Sequence, residues 1–244
     1  MNYKQLIRET NFERMLSEGV YDPGIFKAFF LAGGPGSGKT FVTQSAFAGT
    51  GLKVVNSDRS FERGLKKANL SLKMPDEEEY FRNIVRQKAK MTATTMLDTY
   101  VTGRLGLVID ATGRDYSVIQ SQFNKLRNLG YDCYMVFVNT SLDVALQRNQ
   151  TRGRSIPEYI VTKSWQGVQA NMGAFQRMFS PNKMLIIDNN RDEKELVTIT
   201  LNTASRFIRS RLRTKPENSI AMSWIKKELE LKKRWDLKIT YFNT

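Results

Sequence analysis

Gly33-Gly34-Pro35-Gly36-Ser37-Gly38-Lys39-Thr40 follows directly on the apolar run Ala28-Phe29-Phe30-Leu31-Ala32 and satisfies the pattern G-x-x-x-x-G-K-[ST]. A strand that ends in such a turn brings successive backbone N–H groups to one point. A helix that starts there adds the positive end of its dipole. The pattern therefore predicts a phosphate-binding loop in which Lys39 reaches the outer phosphates and the Thr40 hydroxyl holds Mg²⁺. The rival dinucleotide fingerprint, G-x-G-x-x-G, has no register here, because Lys39 stands where its last glycine would fall.

Outward from the loop, apolar runs of strand length alternate with longer helical patterns, the signature of a parallel sheet with crossover helices. Strands are expected at Phe26 to Ala32, Lys53 to Asn56, Leu105 to Asp110, Cys133 to Asn139 and Lys183 to Asp188. The expected fold is α/β, a P-loop NTPase with a five-stranded parallel sheet flanked by helices, a helical lid and an extra C-terminal helix.

Several helices carry their own signals. Asp76, Glu77, Glu78 and Glu79 suit the positive end of a helix after Pro75. That helix is expected to turn Phe81, Ile84 and Val85 inward. Ile119, Phe123 and Leu126 give the helix before Gly130 an apolar face, Thr140 and Asp143 fit a capping box, and Pro157 suits a helix start. Val197, Leu201, Ala204, Ile208 and Leu212 recur at helical spacing.

The expected organisation is an N-terminal helical extension over 1–25, a kinase domain over 26–213 and a basic helical tail over 214–244. The Thr214-Lys215-Pro216-Glu217-Asn218 linker separates the last two. In the tail, Trp224, Leu231 and Trp235 share one helical face ringed by lysines and Arg234. That face either grips an anionic partner or docks its tryptophans on the main domain.

The 244 residues carry a formal net charge of +14, which favours an anionic partner, nucleic acid or a polyphosphate. There is no histidine, which excludes His-based triads, His zinc sites and a histidine general base. The single cysteine, Cys133, sits in an apolar run and is expected in the core. No basic-apolar-small leader opens the chain and no apolar run approaches the roughly 20 residues of a membrane span. A soluble, intracellular, cytoplasmic protein without membrane contact is expected; its oligomeric state is left open.

Phosphoryl transfer needs a phosphate cradle, a metal, a group that orients the acceptor and cations for the transferring phosphoryl. Asp58 ends the run Val54-Val55-Asn56-Ser57 at the sheet edge where α/β ligands collect, and is the candidate base; a helix cap is its structural alternative. Asp110, ending Leu107-Val108-Ile109, is the candidate to hold Mg²⁺ through water or to fix an arginine. Arg148, Arg152 and Arg154 form a candidate lid over the γ-phosphate, with Arg148 and Arg152 at i and i+4. Arg59, Arg63, Lys66 and Lys67 either track an acceptor's phosphates or form a solvated face.

The segments GGPGSGKT, VVNSD, LVIDATG and QRNQTRGRSIP resemble the kinase domain of polynucleotide 5′-kinases and the related zeta-toxin-like P-loop kinases, over Phe26 to Asp188. The resemblance implies ATP and Mg²⁺ as cofactors and a hydroxyl as acceptor. By position it implies Lys39 and Thr40 for ATP and metal, Asp58 as base, Arg152 as lid arginine and Arg148 as its support. Relatives place a cation behind the base as D-x-[FY]-[RK]; here the order is Asp58-Arg59-Ser60-Phe61-Glu62-Arg63, so Arg59 and Arg63 both remain candidates. Similar kinases occur among tailed phages. The expected function is an ATP- and Mg²⁺-dependent kinase of a nucleic-acid 5′-hydroxyl. The alternatives are a zeta-toxin-like kinase of a nucleotide-sugar or nucleoside, and a non-catalytic ATP-binding switch.

Overall fold

The structure, a computed structural model, describes residues 19–151, 156–190 and 194–242. Residues 1–18 of the helical extension expected over 1–25 lie outside them, as does the side chain of Trp235. Five strands, β1 (Lys27–Ala32), β2 (Lys53–Val55), β3 (Leu107–Asp110), β4 (Asp132–Asn139) and β5 (Met184–Asp188), form one parallel sheet in the order β2-β3-β1-β4-β5. Every residue of β1 is buried, because it is central and covered on both faces. Such strands show unbroken apolar runs instead of alternation.

Eight helices are described: α1 (Lys39–Ala46), α2 (Asp58–Lys67), α3 (Glu79–Thr102), α4 (Tyr116–Asn128), α5 (Leu142–Gln150), α6 (Glu158–Phe179), α7 (Lys194–Leu212) and α8 (Ser219–Phe242). Alternate β1 side chains go to opposite layers. Phe29 and Leu31 join Val42, Ala46, Ala204 and Ile208 of α1 and α7. Phe30 and Ala32 join Ile119, Phe123, Phe175 and Phe179 of α4 and α6. Cys133 belongs to this second layer, and burial pushes its thiol up to about 12.

A third, smaller cluster lies apart from the sheet: Phe61 and Leu65 of α2, Met74 and Ala89, with Val85 and Ile156 against them. Here the sequence expectation for α3 needs correction. Phe81 and Ile84 are exposed, and the inward strip is Arg82, Val85, Ala89 and Leu97, steps of three, four and eight residues. Arg82 starts that strip by laying its guanidinium on the Pro75 carbonyl at 2.6 Å. Apolar spacing marked a stripe on the helix, but the neighbouring α2 covers one offset by a residue.

The start of α5 also differs from the expected capping box of Thr140 and Asp143. Its N-cap is Ser141, whose Oγ accepts from the Val144 N–H, while the Thr140 hydroxyl turns to the Ser37 carbonyl instead. At the far end of the sheet, the 214–218 linker is tied down by Lys27 Nζ on the Lys215 carbonyl (3.3 Å) and by the Glu217 N–H on Asp132 (2.8 Å). Beyond it, α8 docks Trp224 edge-on against Phe26 and beneath the Arg104 guanidinium, the docked alternative for this tail. Among the described residues, no helix is long and apolar enough to cross a membrane.

Candidate active site

β1 leads on toward β2, whereas its neighbours β3 and β4 both lead on in the other direction. That reversal opens a crevice at the finishing ends of the strands, where α/β folds hold ligands. Gly33–Thr40 occupies it. Gly36 and Gly38 adopt φ of 79° and 89°, the left-handed region that glycine enters without strain. A Cβ on Gly36 would collide with the Ala145 carbonyl, and one on Gly38 with the Asn189 amide. The loop is thus pressed against α5 and the end of β5, and only glycines allow so close an approach.

Its hydrogen bonds to the rest of the chain go to the segments that follow three strands, β3, β4 and β5. The Gly33 N–H donates to the Thr112 carbonyl (2.9 Å), and the Ser37 carbonyl receives Asn189 Nδ2 at 2.7 Å and Thr140 Oγ1 at 3.4 Å. From α6, Trp165 Nε1 donates to the Thr140 carbonyl at 2.6 Å, and the Trp165 backbone packs on Gly34. The Lys39 ammonium arches over the loop, donating to the carbonyl oxygens of Gly33 and of Gly34. Ser37 Oγ is buried with no hydrogen-bond partner. Buried hydroxyls are ordinarily paired; this one is packed inward against the Gly33 backbone, where a Cβ would come within 2.7 Å of it. Thr40 stands exposed in the first turn of α1.

Asp110 lies beside this loop, since Leu31 of β1 is its register partner. Asn56 Nδ2 donates to Asp110 Oδ2 at 2.6 Å, and Asn56 Oδ1 accepts from the Asp58 N–H at 2.5 Å. One amide thereby joins the two carboxylate-bearing residues. Burial holds the Asp110 carboxyl above the usual carboxylate range and the Asp58 charge pushes the same way, against the pull of Lys39, the Asn56 hydrogen bond and Arg59. Asp58 opens α2 as its first residue and is not its cap; Ser57 stands at the cap position and makes no side-chain capping hydrogen bond. Arg59 and Arg63 follow one turn apart on exposed α2 positions.

Arg148 Nη1 donates to the Asn189 carbonyl at 2.8 Å. Arg152 and Arg154 lie outside the described residues, but their flanks are clasped: Asn149 Nδ2 donates to the Ile156 carbonyl (2.7 Å) and Asn149 Oδ1 accepts from the Ile156 N–H (3.1 Å). Ile156 then packs on the α2–α3 cluster, linking the chain after the arginines to the helix that carries Asp58. The structure therefore brings together Lys39, Asp110, Asp58 and Arg59, and places Arg148 on the other side of the loop. Asn56, Asn149, Trp165 and Asn189 carry no role in the sequence reading, and Thr140 enters it only as a helix cap. For Asn56 and Asn189 a signal exists: each follows directly on the end of a parallel strand.

A 2-3-1-4-5 parallel sheet with this loop after its central strand defines the P-loop kinase fold. The chain belongs to the AAA domain family AAA_33, which matches residues 29–175, well over half of it. No curated protein sequence matches it. Among solved structures, it is similar to a putative kinase from Chloroflexus aurantiacus, with TM-score 0.52 and 16% identity over 77% of this chain and 96% of that one. It is also similar to a chain of the PezAT toxin–antitoxin system of Streptococcus pneumoniae, with TM-score 0.50 and 14% identity over 88% and 99%. A complex of AvrRxo1-ORF1 with AvrRxo1-ORF2, solved with ATP, gives TM-score 0.51 and 13% identity over 89% of each chain. At these identities the likeness is one of fold.

Proposed function

We propose that this protein transfers the γ-phosphoryl group of ATP to a hydroxyl, with Mg²⁺, and that the acceptor is the 5′-hydroxyl of a nucleic acid. The observation that carries the reading is the Lys39–Asp110–Asn56–Asp58 cluster at the mouth of the loop. Asp58 takes the proton of the acceptor hydroxyl as its oxygen attacks the γ-phosphorus, and ADP departs with the electron pair of the broken P–O bond. Lys39 swings from the loop carbonyls to the phosphates, which offer it charged acceptors in place of neutral ones. Arg148, Arg152 and Arg154 supply the lid cations that neutralise the transferring group.

Thr40 and Asp110 would hold Mg²⁺, which when bound neutralises phosphate charge. Such a site fits the residues present: Mg²⁺ on nucleotides needs one or two carboxylates and takes its other ligands from phosphate and water. Arg59 and Arg63, beside Asp58, suit the first phosphates of a polynucleotide, and the +14 charge adds sequence-independent affinity for its backbone.

The test offers γ-labelled ATP and Mg²⁺ with 5′-hydroxyl DNA, 5′-hydroxyl RNA, nucleosides and nucleotide-sugars in parallel. Label is expected on the polynucleotides, reduced about 10²–10⁴-fold by Asp58→Ala while ATP binding persists. Label on a nucleoside or nucleotide-sugar alone overturns the acceptor. No transfer to any of them, with ATP demonstrably bound, favours the non-catalytic switch.

A further inference from the structure

Residues 196–216 contain five cations and no acid: Arg206, Arg209, Arg211, Arg213 and Lys215. Their surroundings divide them. Arg211 is half-buried and structural, donating to the Asn182 carbonyl at 2.5 Å and lying over the Phe207 ring. Arg206, Arg209 and Arg213 are exposed and recur at steps of three and four; the first two lie on the face of α7 opposite the fully buried Ala204 and Ile208, and Arg213, the residue after the helix, continues the turn through its N–H on the Arg209 carbonyl. Lys215 extends the row into the linker and is exposed too. No ion pair among the described residues joins any of these four to an acid.

The blandest account is the helix dipole, which favours cations at a helix C-terminus. That effect fades within the last turn and asks for no common face, whereas Arg206 precedes the last turn and the three outward arginines are aligned. Like charges at these spacings oppose the helix they sit on. An arrangement that is unfavourable alone becomes favourable against an anion.

We propose that this arginine row binds the phosphodiester backbone of a nucleic acid. Arg206 to Arg213 spans seven residues, about 10 Å of helix axis, comparable to roughly three phosphate steps of one duplex strand. Guanidinium groups suit bidentate phosphate contact. A protein partner would ask for apolar or aromatic anchors, and a bilayer for an inserting apolar face. Exposed large hydrophobic side chains only flank the row, Ile199 before it and Ile220 after it, and none is exposed between residues 200 and 219, too sparse a set for an aromatic hot spot or an inserting face. The row also stands away from the phosphate loop. α7 leaves the finishing end of β5 at Lys194, and Arg206 lies twelve residues further, about 18 Å along the axis. It is a holding surface distinct from the acceptor site and does not rest on the acceptor assignment.

The test measures binding of the full chain to labelled, 5′-phosphorylated single-stranded DNA, RNA and duplex DNA across a salt series without ATP. These strands carry no 5′-hydroxyl, so a failure of the transfer reaction leaves the readout untouched. R206Q/R209Q/R213Q is expected to weaken binding about tenfold or more and to flatten the log–log salt slope by about 2 for single strands. ATP binding by the triple variant should stay unchanged, and K88Q/K90Q on α3 should keep the native slope. An unaltered affinity and slope in the triple variant overturns the proposal. So does polyglutamate competing as well as nucleic acid at equal charge.

Discussion

At the starting ends of β1 and β4, Lys27 Nζ sits 2.9 Å from Asp132 Oδ2, both buried, and the remaining partners all come from the chain: the Tyr134 hydroxyl, the Lys215 carbonyl and the Glu217 N–H. At the finishing ends of β1 and β3, Lys39 and Asp110 make up a second lysine and aspartate, and their compensation is partial. Burial still holds the Asp110 carboxyl high despite Lys39, Arg59 and Asn56. One end of the sheet closes its electrostatics internally and serves the fold. The other leaves a deficit that a ligand would fill, which is where perturbed titration marks functional groups.

The sharpest way to break this contrast is to open the closed end. Asp132→Ala strips the buried Lys27 of its counter-charge and the linker N–H of its acceptor. Loss of one partner of a buried pair costs about 3–5 kcal/mol, which at about 2–4 °C per kcal/mol lowers Tm by roughly 6–20 °C. Below its melting range the variant should bind ATP as the parent does. K27M/D132L, which removes both charges, should regain much of the loss. A large fall in ATP affinity measured on folded Asp132→Ala would show that the two ends are not separable.

A smaller and opposite split is expected at the open end. Asn189 holds the Ser37 carbonyl through its side chain and receives Arg148 on its own carbonyl, so it joins the phosphate loop to α5. Asn189→Leu keeps the volume and removes the shorter of the two donors to the Ser37 carbonyl, leaving Thr140 Oγ1 at 3.4 Å, and loss of one such hydrogen bond costs about 0.5–1.5 kcal/mol. Its activity should suffer more than its stability: KM for ATP rises and kcat falls, together by about tenfold to a hundredfold in kcat/KM. Thermal melts with steady-state kinetics would check this, and a loss confined to Tm would reduce Asn189 to a packing residue.

The closed end was hard to see in the sequence and the open end easy, for a physical reason. A phosphate loop needs glycines and a lysine at fixed spacing, so Gly36, Gly38 and Lys39 announce it within one turn of chain. The strands announce themselves by unbroken apolar runs, and their expected limits lie within two residues of those found. Lys27 with Asp132 joins positions 105 apart, and no local pattern marks such a pair. Asn56 and Asn189 act through one amide each, which composition and periodicity do not register. The offset on α3 has the same origin, because spacing shows that a stripe exists and only the partner helix shows which residues it covers.

The finest discrimination between the two ends comes from Asp110→Asn. The carboxyl's proton affinity is higher in the folded chain than its ordinary value, chiefly through burial. The folded state therefore binds this proton more tightly than the unfolded state, and the contribution to stability is present at low pH and lost as pH rises through the folded value. An amide carries no such titration. Asn56 can still donate to the amide oxygen, so the hydrogen bond survives the change. Asp110→Asn should melt with the parent near pH 4 and slightly above it near pH 7, by about 2–4 °C for each kcal/mol of burial cost relieved. Transfer should move the other way, needing about 10–100-fold more Mg²⁺. A variant less stable than the parent at pH 7 would mean that the Lys39 and Arg59 charges outweigh burial at Asp110, and that this end of the sheet is compensated as fully as the other.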